Sequence, residues 1–599
     1  MRPVYSIALS LFLAAPLSAP AFAAEPDAPD ALITRTEAIR IAVQNRLSAK
    51  FSTTTEHKKD EKGALVEYYS VPDQKLLWVG ETGLTERGRA VVAELQKADD
   101  YGLRASDYRL PDLAALGTQG TGAAEQLADA EIKISYAVLD YSYDARGGRI
   151  QPQRISKNLD PTLALPDPLE VIESISFRSD PAAYLRSFQP AQPQFELLRK
   201  KLIELRGGGQ DVPAEDKPTV MIPNGPALKF GVVDSQVALL RTRLEIPEGQ
   251  NPNLYDEAVL KAVKQFQADH NTAPDGVVGP GTRRVLNQPH LRNVGSPSQI
   301  NAILLNMERW RWLPHDQGSF YVQVNIPEFM LRVYKDGEVF HTTRVVVGKP
   351  DKQTPIFANE MQTVVFGPYW NVPTSIKVEE IRPYVRPDGG WFGGGGWNTT
   401  VFQRHDLRIK YGGREVDPNS LDWNRVDIRN LHLYQPPGPR NVLGRVKFVF
   451  PNKHDVYMHD TPQKHLFAKE VRAESHGCMR VQNPDQLAAV IMSHDQNWSQ
   501  ARTMSAIENG YDQQIALHRK VPVYITYFTL RVNDDGSIST FRDLYGHDSR
   551  MAGALFGGRT NFVEADDGIV TQSISAQPRG TSRRRQNDTL SDLLQGFEN

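Results

Sequence analysis

The hydrophobic pattern of the chain changes its period at Tyr321. Before this residue, apolar side chains recur at helical spacing, as in Val237, Leu240 and Leu244. From Tyr321 onward apolar and polar residues alternate, and Lys335-Asp336-Gly337-Glu338 supplies a hairpin turn between two such segments. Because alternation is typical of half-buried strands, the pattern predicts an α+β chain with helical units first. An antiparallel, sandwich-like β domain follows them.

Length and linker composition divide the chain further. At 599 residues it is too long for one hydrophobic core. The stretch from Gly207-Gly208-Gly209 to Pro226 is rich in glycine and proline, which favours a flexible connection. We expect a mainly helical domain at 33–206, a linker at 207–230, a compact three-helix unit at 231–289 and the β domain at 300–550. The tail at 558–599 is predicted to be disordered.

The first residues resemble an export signal. Met1-Arg2 precedes an apolar run, and Ala21-Phe22-Ala23 fits the small-x-small cleavage pattern, so we expect a signal peptide at 1–23. The alternative is an uncleaved membrane anchor. That run is short for the ~20 residues of a bilayer span, and Pro16 and Pro20 interrupt it. We therefore expect a soluble mature chain outside the cytoplasm, with no stable membrane span.

Charge and histidine spacing exclude other classes of function. The 69 basic and 71 acidic residues leave a formal net charge of -2, which gives no field for nucleic acid. His454, His459 and His465 lack a matching carboxylate pattern, so we expect no metal site, and no cofactor. His454 and His465 are expected at the surface.

Cys478 is the only cysteine of the chain. In an exported protein a thiol without an intramolecular disulfide partner is most simply explained as a chemical reagent. The alternative is a small buried side chain in the core, which is the commoner role of a lone cysteine.

The residues around Cys478 are suited to nucleophilic catalysis. A thiol needs a nearby base, and His459, at the end of a predicted strand, is the expected general base. Arg480 could hold a substrate carboxylate. The backbone amides around Gly477 and Cys478 are candidate oxyanion donors, with the Tyr457 hydroxyl as a second donor. These residues by themselves indicate a Cys/His acyl-transfer enzyme.

A glycine-rich insertion interrupts the β domain. The run from Gly389 to Trp397 carries two tryptophans, and a polar segment continues to about Arg440. A long irregular insertion in a compact domain is usually functional or disordered. We expect a mobile flap over the site, within a capping insertion at about 377–440.

The chain resembles the L,D-transpeptidases of bacterial peptidoglycan, in particular their large multidomain branch. The motif is His459 followed by Ser475-His476-Gly477-Cys478-Met479-Arg480. Further resemblance to the YkuD-type catalytic domain lies at 365–373, 435–441, 450–452, 457–462 and 521–528. Phe266-Gln267 and 275–280 resemble a three-helix peptidoglycan-binding domain. The segments 77–79, 83–85 and 101–103 resemble a scaffold domain.

The resemblance implies a two-step acyl transfer in the periplasm. Cys478 would attack the carbonyl between a diamino acid and D-Ala of a tetrapeptide stem. D-Ala would be released, and the stem would stay on the enzyme as a thioester. A diamino-acid amine of a neighbouring stem would then form a 3-3 cross-link. The resemblance also implies sensitivity to carbapenems, and it makes peptidoglycan stem peptides and glycan the partners.

Other outcomes of the same chemistry stay open. Water would make the enzyme a carboxypeptidase or a cross-link amidase, and an amine of an outer-membrane protein would make it an anchoring enzyme. A non-catalytic wall-binding scaffold is the third reading. Ser475 and His476 are expected to shape the substrate site. Trp370 is expected either near the pocket or as a core aromatic.

Overall fold

The computed structural model describes residues 34–49, 55–72, 74–112, 116, 123–207, 220–247, 249–269, 275–287, 297–387 and 396–557. The predicted signal peptide, residues 208–219 of the predicted linker, residues 389–395 of the glycine run and the predicted disordered tail lie outside these residues.

The first part of the chain is a helical domain built around one long buried helix. Its helices are α1 (Arg35–Ser48), α2 (Glu56–Ser70), α3 (Glu86–Gln96), α4 (Ala123–Ala145), α5 (Pro152–Ile155), α6 (Pro168–Phe177), α7 (Pro181–Arg186) and α8 (Pro193–Leu205), with a hairpin of β1 (Val79–Gly80) and β2 (Gly83–Leu84). Glu131 on α4 is fully buried and accepts hydrogen bonds from the Tyr69 hydroxyl and from the amides of Leu77, Trp78 and Val79. These bonds compensate its burial and fix the hairpin on the helix.

The second unit contains three helices, α9 (Ser235–Arg243), α10 (Glu257–Asp269) and α11 (Pro280–Leu286). The apolar positions at helical spacing, such as Val237, Leu240 and Val259, form its core. Gln267 is buried and closes the turn before α11, because its side chain donates to Asp275 Oδ1 at 2.8 Å and accepts from the Gly276 amide at 2.8 Å.

The third part follows α12 (Pro297–Arg311) and has a nine-stranded sheet at its centre. Its strands, in chain order, are β3 (Phe320–Asn325), β4 (Met330–Lys335), β5 (Glu338–Gly348), β6 (Ala358–Phe366), β13 (Val446–Val449), β14 (Met458–His459), β15 (Ala473–Ser475), β16 (Met479–Val481) and β17 (Gln513–Thr526), the numbers between β6 and β13 belonging to the insertion described below. The spatial order is β15-β5-β16-β14-β13-β6-β17-β3-β4. Helices α15 (Pro484–Gln496), α16 (Gln500–Asn509) and α17 (His547–Phe556) and the hairpin β18 (Leu530–Val532) and β19 (Ile538–Thr540) complete this part.

The sheet closes on itself through β5. The first half of this strand pairs with β4, up to Arg344, whereas Val345 and Val346 pair with β16. The predicted α+β class is confirmed, and the strands predicted after Tyr321 are present. The pairing is not purely antiparallel as predicted, because β14 with β16, β17 with β3 and β15 with β5 are parallel pairs.

The insertion between β6 and β13 is an ordered subdomain. It contains β7 (Trp370–Asn371), α13 (Thr374–Ile376), a π-helical turn (Lys377–Ile381), β8 (Arg386–Pro387), β9 (Trp397–Asn398), α14 (Thr400–Arg404), β10 (Arg408–Tyr411), β11 (Arg414–Val416) and β12 (His432–Gln435). Its own hydrophobic core includes Phe402, Ile409 and Trp423. The prediction of a long irregular segment is therefore wrong for the described part, because a four-stranded sheet and this core order it. The glycine run joins the paired strands β8 and β9.

The helical domain also contacts the sheet domain next to β6. Leu159 forms a parallel bridge with Ile356, where the Asp160 amide donates to the Ile356 carbonyl at 2.8 Å and the Ile356 amide donates to the Asn158 carbonyl at 2.7 Å. The two domains are thus joined by backbone hydrogen bonds. Across the described ranges, no helix combines the length and apolarity that a membrane crossing requires.

Candidate active site

Three neighbouring strands place the predicted site residues on one face of the sheet. β14 and β16 are parallel, with Met458 opposite Met479 and His459 opposite Arg480, and β13 places Lys447 opposite His459. Since side chains alternate along strands, and both methionines are buried in the main core, the opposite face presents Lys447, His459 and Arg480 together.

Cys478 lies immediately before β16, in a loop held by side-chain hydrogen bonds. Ser475 Oγ donates to the Cys478 carbonyl at 2.5 Å and accepts from the Gly477 amide at 3.2 Å. Thr354 Oγ1 donates to the Gly477 carbonyl at 2.8 Å, and Gly477 has a φ of 110°, which favours glycine. Because Ser475 already engages the Gly477 amide, this conformation does not offer that amide as the predicted oxyanion donor. Ser475 thus holds the loop, and its expected part in shaping the substrate site stays a prediction.

The thiol is only partly exposed and is enclosed by Tyr457 and Lys447. Burial raises the pKa of the Cys478 thiol above its usual value, and hydrogen bonding to the Tyr457 backbone and the charge of Lys447 oppose that rise. Sγ lies 4.0 Å from the Asp455 carbonyl oxygen. The thiol is therefore protonated at neutral pH and needs a base before it can attack a carbonyl.

The buried ring of His459 has one free basic nitrogen. Nδ1 lies 2.5 Å from the Asp460 carbonyl oxygen, which can only accept, so Nδ1 carries the hydrogen and Nε2 is the basic atom of the neutral ring. Burial, and then the charge of Arg480, lower the pKa of His459 to about 3. The ring stands 5.7 Å from that of Tyr457, centroid to centroid. His459 is thus a neutral imidazole at physiological pH.

Tyr457 connects the thiol to the insertion. Burial raises the pKa of its hydroxyl well above the usual value, as does the neighbouring Cys478 sulfur, while a hydrogen bond with the Trp370 side chain lowers it. Lys447 Nζ stands 3.9 Å from the centre of the Tyr457 ring. The phenol keeps its proton and can donate. Trp370 is a buried member of the insertion core and also contacts this hydroxyl, so the structure places it in both predicted settings.

Arg480 is a buried cation. Arg480 is only 6% exposed, and its Nη1 donates a hydrogen bond to Gln463 Oε1. Within the described residues, no carboxylate lies at ion-pair distance from it, and the nearby Glu474 pairs with Lys469 at 2.7 Å. Burial lowers the pKa of Arg480 to about 10. A guanidinium taken out of water without a carboxylate partner attracts an anionic ligand.

His476 contacts the insertion, which the sequence did not indicate. Its Nε2 lies 2.5 Å from Oε1 of Glu380, in the π-helical turn. Beside it, Lys352 Nζ lies 2.7 Å from Glu379 Oε2. The insertion therefore contacts the loop of Cys478 through His476, and the connection between β5 and β6 through Lys352.

The helical domain contacts the connection between β13 and β14, which also borders the thiol. Asp160 Oδ2 lies 2.9 Å from Nε2 of His454 and 2.8 Å from Nζ of Lys453, next to Asp455, whose carbonyl faces the thiol. His454 is half-buried between two domains, which corrects its predicted surface position. His465 is exposed, as expected.

One group of side chains has the composition of a metal site. Ligand atoms of His57, Glu61 and Asp140 lie within 4.8 Å of one another in the helical domain. The ammonium of Lys58 pairs with both carboxylates, at 2.8 Å from Glu61 Oε2 and also with Asp140. A cation of the protein thus already serves these carboxylates, and the group is an ion-pair cluster.

Comparison with known proteins agrees with this architecture. Three family models match parts of this chain. They describe an L,D-transpeptidase catalytic domain at 319–523, a "Putative peptidoglycan binding domain" at 233–286 and a "Scaffold domain" at 63–202. A curated relative, a "Putative L,D-transpeptidase" of Haemophilus influenzae, is 28% identical over 249 residues, which are 42% of this chain and 48% of that protein. The match thus spans about half of the relative's length.

Two solved structures are also similar. An L,D-transpeptidase from Mycobacterium smegmatis shares 13% identity at a TM-score of 0.15, covering 35% of this chain and 58% of that one. The L,D-transpeptidase (residues 123–326) from Xylanimonas cellulosilytica shares 14% identity at a TM-score of 0.15, and the match covers 51% of this chain and 99% of that one.

The domain set relates the protein to the cell wall. Two of the three matching models describe cell-wall domains, a putative peptidoglycan-binding domain and an L,D-transpeptidase catalytic domain. The chain therefore contains a region similar to the L,D-transpeptidase catalytic domain, with regions similar to a scaffold domain and a peptidoglycan-binding domain ahead of it.

Proposed function

We propose that the protein forms 3-3 cross-links between tetrapeptide stems of peptidoglycan in the periplasm. Cys478 attacks the carbonyl between the diamino acid and D-Ala of a donor stem, D-Ala leaves, and a neighbouring stem's amine resolves the thioester. One observation carries this proposal: the loop of Cys478, the basic nitrogen of His459 and the buried Arg480 share one face of β14 and β16.

In the first step His459 acts as general base and then as general acid. Nε2 takes the proton of the thiol as sulfur attacks, and returns it to the leaving amine of D-Ala. The tetrahedral oxyanion is met by the Cys478 amide and the Tyr457 hydroxyl, whose raised pKa keeps it a donor. The Gly477 amide joins them only if it leaves Ser475.

Arg480 couples substrate binding to the strength of the base. In the proposal it binds the terminal carboxylate of the donor stem, which offsets its buried charge. Its positive charge is a cause of the low pKa of His459. Neutralising that charge raises the basicity of His459 when the donor is in place, so the thiol is activated in the complex rather than in the free enzyme.

Incubation with purified tetrapeptide muropeptides tests the proposal, with products identified by mass spectrometry. We expect dimers linked 3-3 and free D-Ala, and no product with Cys478→Ala. Tripeptides alone would show that the enzyme hydrolyses the donor instead of cross-linking it. Adducts on an outer-membrane protein, with no dimers, would show that it anchors proteins instead. No product from the parent, with Cys478→Ala binding wall sacculi equally well, would leave a wall-binding scaffold. A carbapenem should acylate Cys478 in the active protein.

A further inference from the structure

We propose that Glu380 and His476 form the subsite that receives the acceptor as a cation, the protonated side-chain amine of a second stem. This inference rests on the proposed function, and it assigns the second half-reaction to the contact between the insertion and the loop of Cys478. The acceptor is recognised by its positive charge.

The first observation is a buried carboxylate with one oxygen left over. Glu380 is 6% exposed, and its Oε1 pairs with Nε2 of His476 at 2.5 Å. Its Oε2 is shielded from solvent and, among the described residues, has no hydrogen-bond partner. Burying such an oxygen unpaired is unfavourable, and an ammonium group, with three N–H donors, would compensate it.

The second observation is the surrounding charge. Lys352 is the cation near Glu380, and it pairs with Glu379 at 2.7 Å. Lys377, in the same turn, donates to the carbonyls of Arg429 and Leu431 at 3.1 and 2.9 Å. Both lysines are thus engaged by other acceptors, which leaves the second oxygen of Glu380 for a ligand.

The third observation is the tautomer of His476. A carboxylate only accepts, so Nε2 of His476 carries the hydrogen that points to Glu380, which leaves Nδ1 as the second ring nitrogen. His476 is two residues before Cys478. A cation held on Glu380 would therefore lie beside His476, two residues along the chain from the thioester.

The chemistry of the second step requires two proton acceptors. The ammonium loses one proton to become a nucleophile and a second as the amide forms. The new C–N bond forms, the C–S bond breaks, and its electron pair leaves on the Cys478 sulfur. One proton returns to this sulfur through His459, restoring the thiol. The other passes to Nδ1 of His476 and then to solvent.

The test measures how the acyl-enzyme divides between amine and water. The parent and Glu380→Gln are acylated with the tetrapeptide donor and offered increasing concentrations of a stem with a free diamino-acid amine. Gln retains an oxygen that accepts from His476 but removes the charge. We expect the ratio of cross-linked dimer to tripeptide to fall about tenfold or more. Glu415→Gln, a change at an exposed carboxylate on β11 of the same insertion, is the matched control and should keep the parent ratio.

A neutral nucleophile distinguishes the binding of a cation by Glu380 from a purely structural role of this residue. Hydroxylamine is uncharged at neutral pH, so Glu380→Gln should resolve the thioester with it at the parent rate. An unchanged dimer-to-tripeptide ratio in Glu380→Gln would overturn the subsite. An equal loss with hydroxylamine, or a parallel loss of acylation, would also overturn it, because Glu380 would then only hold the loop. Absence of acylation in the parent would instead refute the proposed function.

Discussion

Acylation of Cys478 should not depend on pH between about 5 and 8. The attacking pair is a neutral thiol and a neutral imidazole, because burial raises the pKa of Cys478 and lowers that of His459 to about 3. A base of pKa about 3 is ~99% neutral at pH 5, whereas a histidine at the usual pKa of about 6.5 would be only ~3% neutral. The expected profile is therefore flat where an ordinary histidine would lose about 30-fold.

The measurement is the rate of single-turnover acylation by a carbapenem, followed by loss of β-lactam absorbance at each pH. His459→Gln provides the comparison. Without the base only the thiolate reacts. A free thiol is only ~3% thiolate at pH 7, and burial, which raises the pKa of Cys478, lowers that fraction further. The rate of His459→Gln should therefore be about 30-fold or more below the parent at pH 7 and should rise about tenfold per pH unit. An acidic limb near pH 6.5 in the parent would refute the neutral pair.

Three further substitutions test the surroundings of this pair. Arg480→Gln should raise the KM for the tetrapeptide donor about tenfold or more, because the cation that binds the donor's carboxylate is gone. NMR of the ring protons should also show a higher pKa of His459, since the positive charge that lowers it has been removed. An unchanged KM would contradict this role. Gly477→Ala places a Cβ at φ 110° and 3.4 Å from a carbonyl, a strain of about 1–3 kcal/mol. It should slow carbapenem acylation about tenfold, whereas Gly536→Ala, at φ 79° in open space, should not. Asp160→Asn should slow acylation about threefold or more by loosening the loop before the thiol, whereas Asp129→Asn, in an exposed pair, should leave it unchanged; equal rates in both would contradict the link between domains.

Local patterns predicted the first strands of the catalytic domain and the helices of the three-helix unit well. The alternation after Tyr321 indicated β3, β4 and β5, and the helical spacing of Val237 and Leu240 indicated α9. The loop of Cys478 and the strand of His459 could be recognised from sequence because the motif is short. Lys447 could have been found as well. Its neighbours Val446 and Phe448 are buried in the core, so alternation places Lys447 on the opposite face, together with the predicted base.

Pairings between distant segments were not predictable from local patterns. The contact of Glu380 with His476 and that of Asp160 with His454 join residues from different domains or subdomains, and neither segment carries a local signal for its partner. The insertion was misjudged because its strands, such as Arg408–Tyr411, are short and polar on their exposed side. Its core comes from large side chains scattered along the chain, among them Trp423.

The parallel pairing of β14 with β16 has an evolutionary consequence. Backbone hydrogen bonds between the strands set the register of Met458 with Met479, so the length of the connection at 464–472 does not determine where the thiol meets its base. Insertions and deletions can therefore accumulate in this connection among relatives without loss of activity. A single residue added between Gly477 and Met479 would turn the thiol toward the core instead. The spacing of the Ser475–Arg480 segment should tolerate no gaps, whereas the distance from His459 to Ser475 is free to vary.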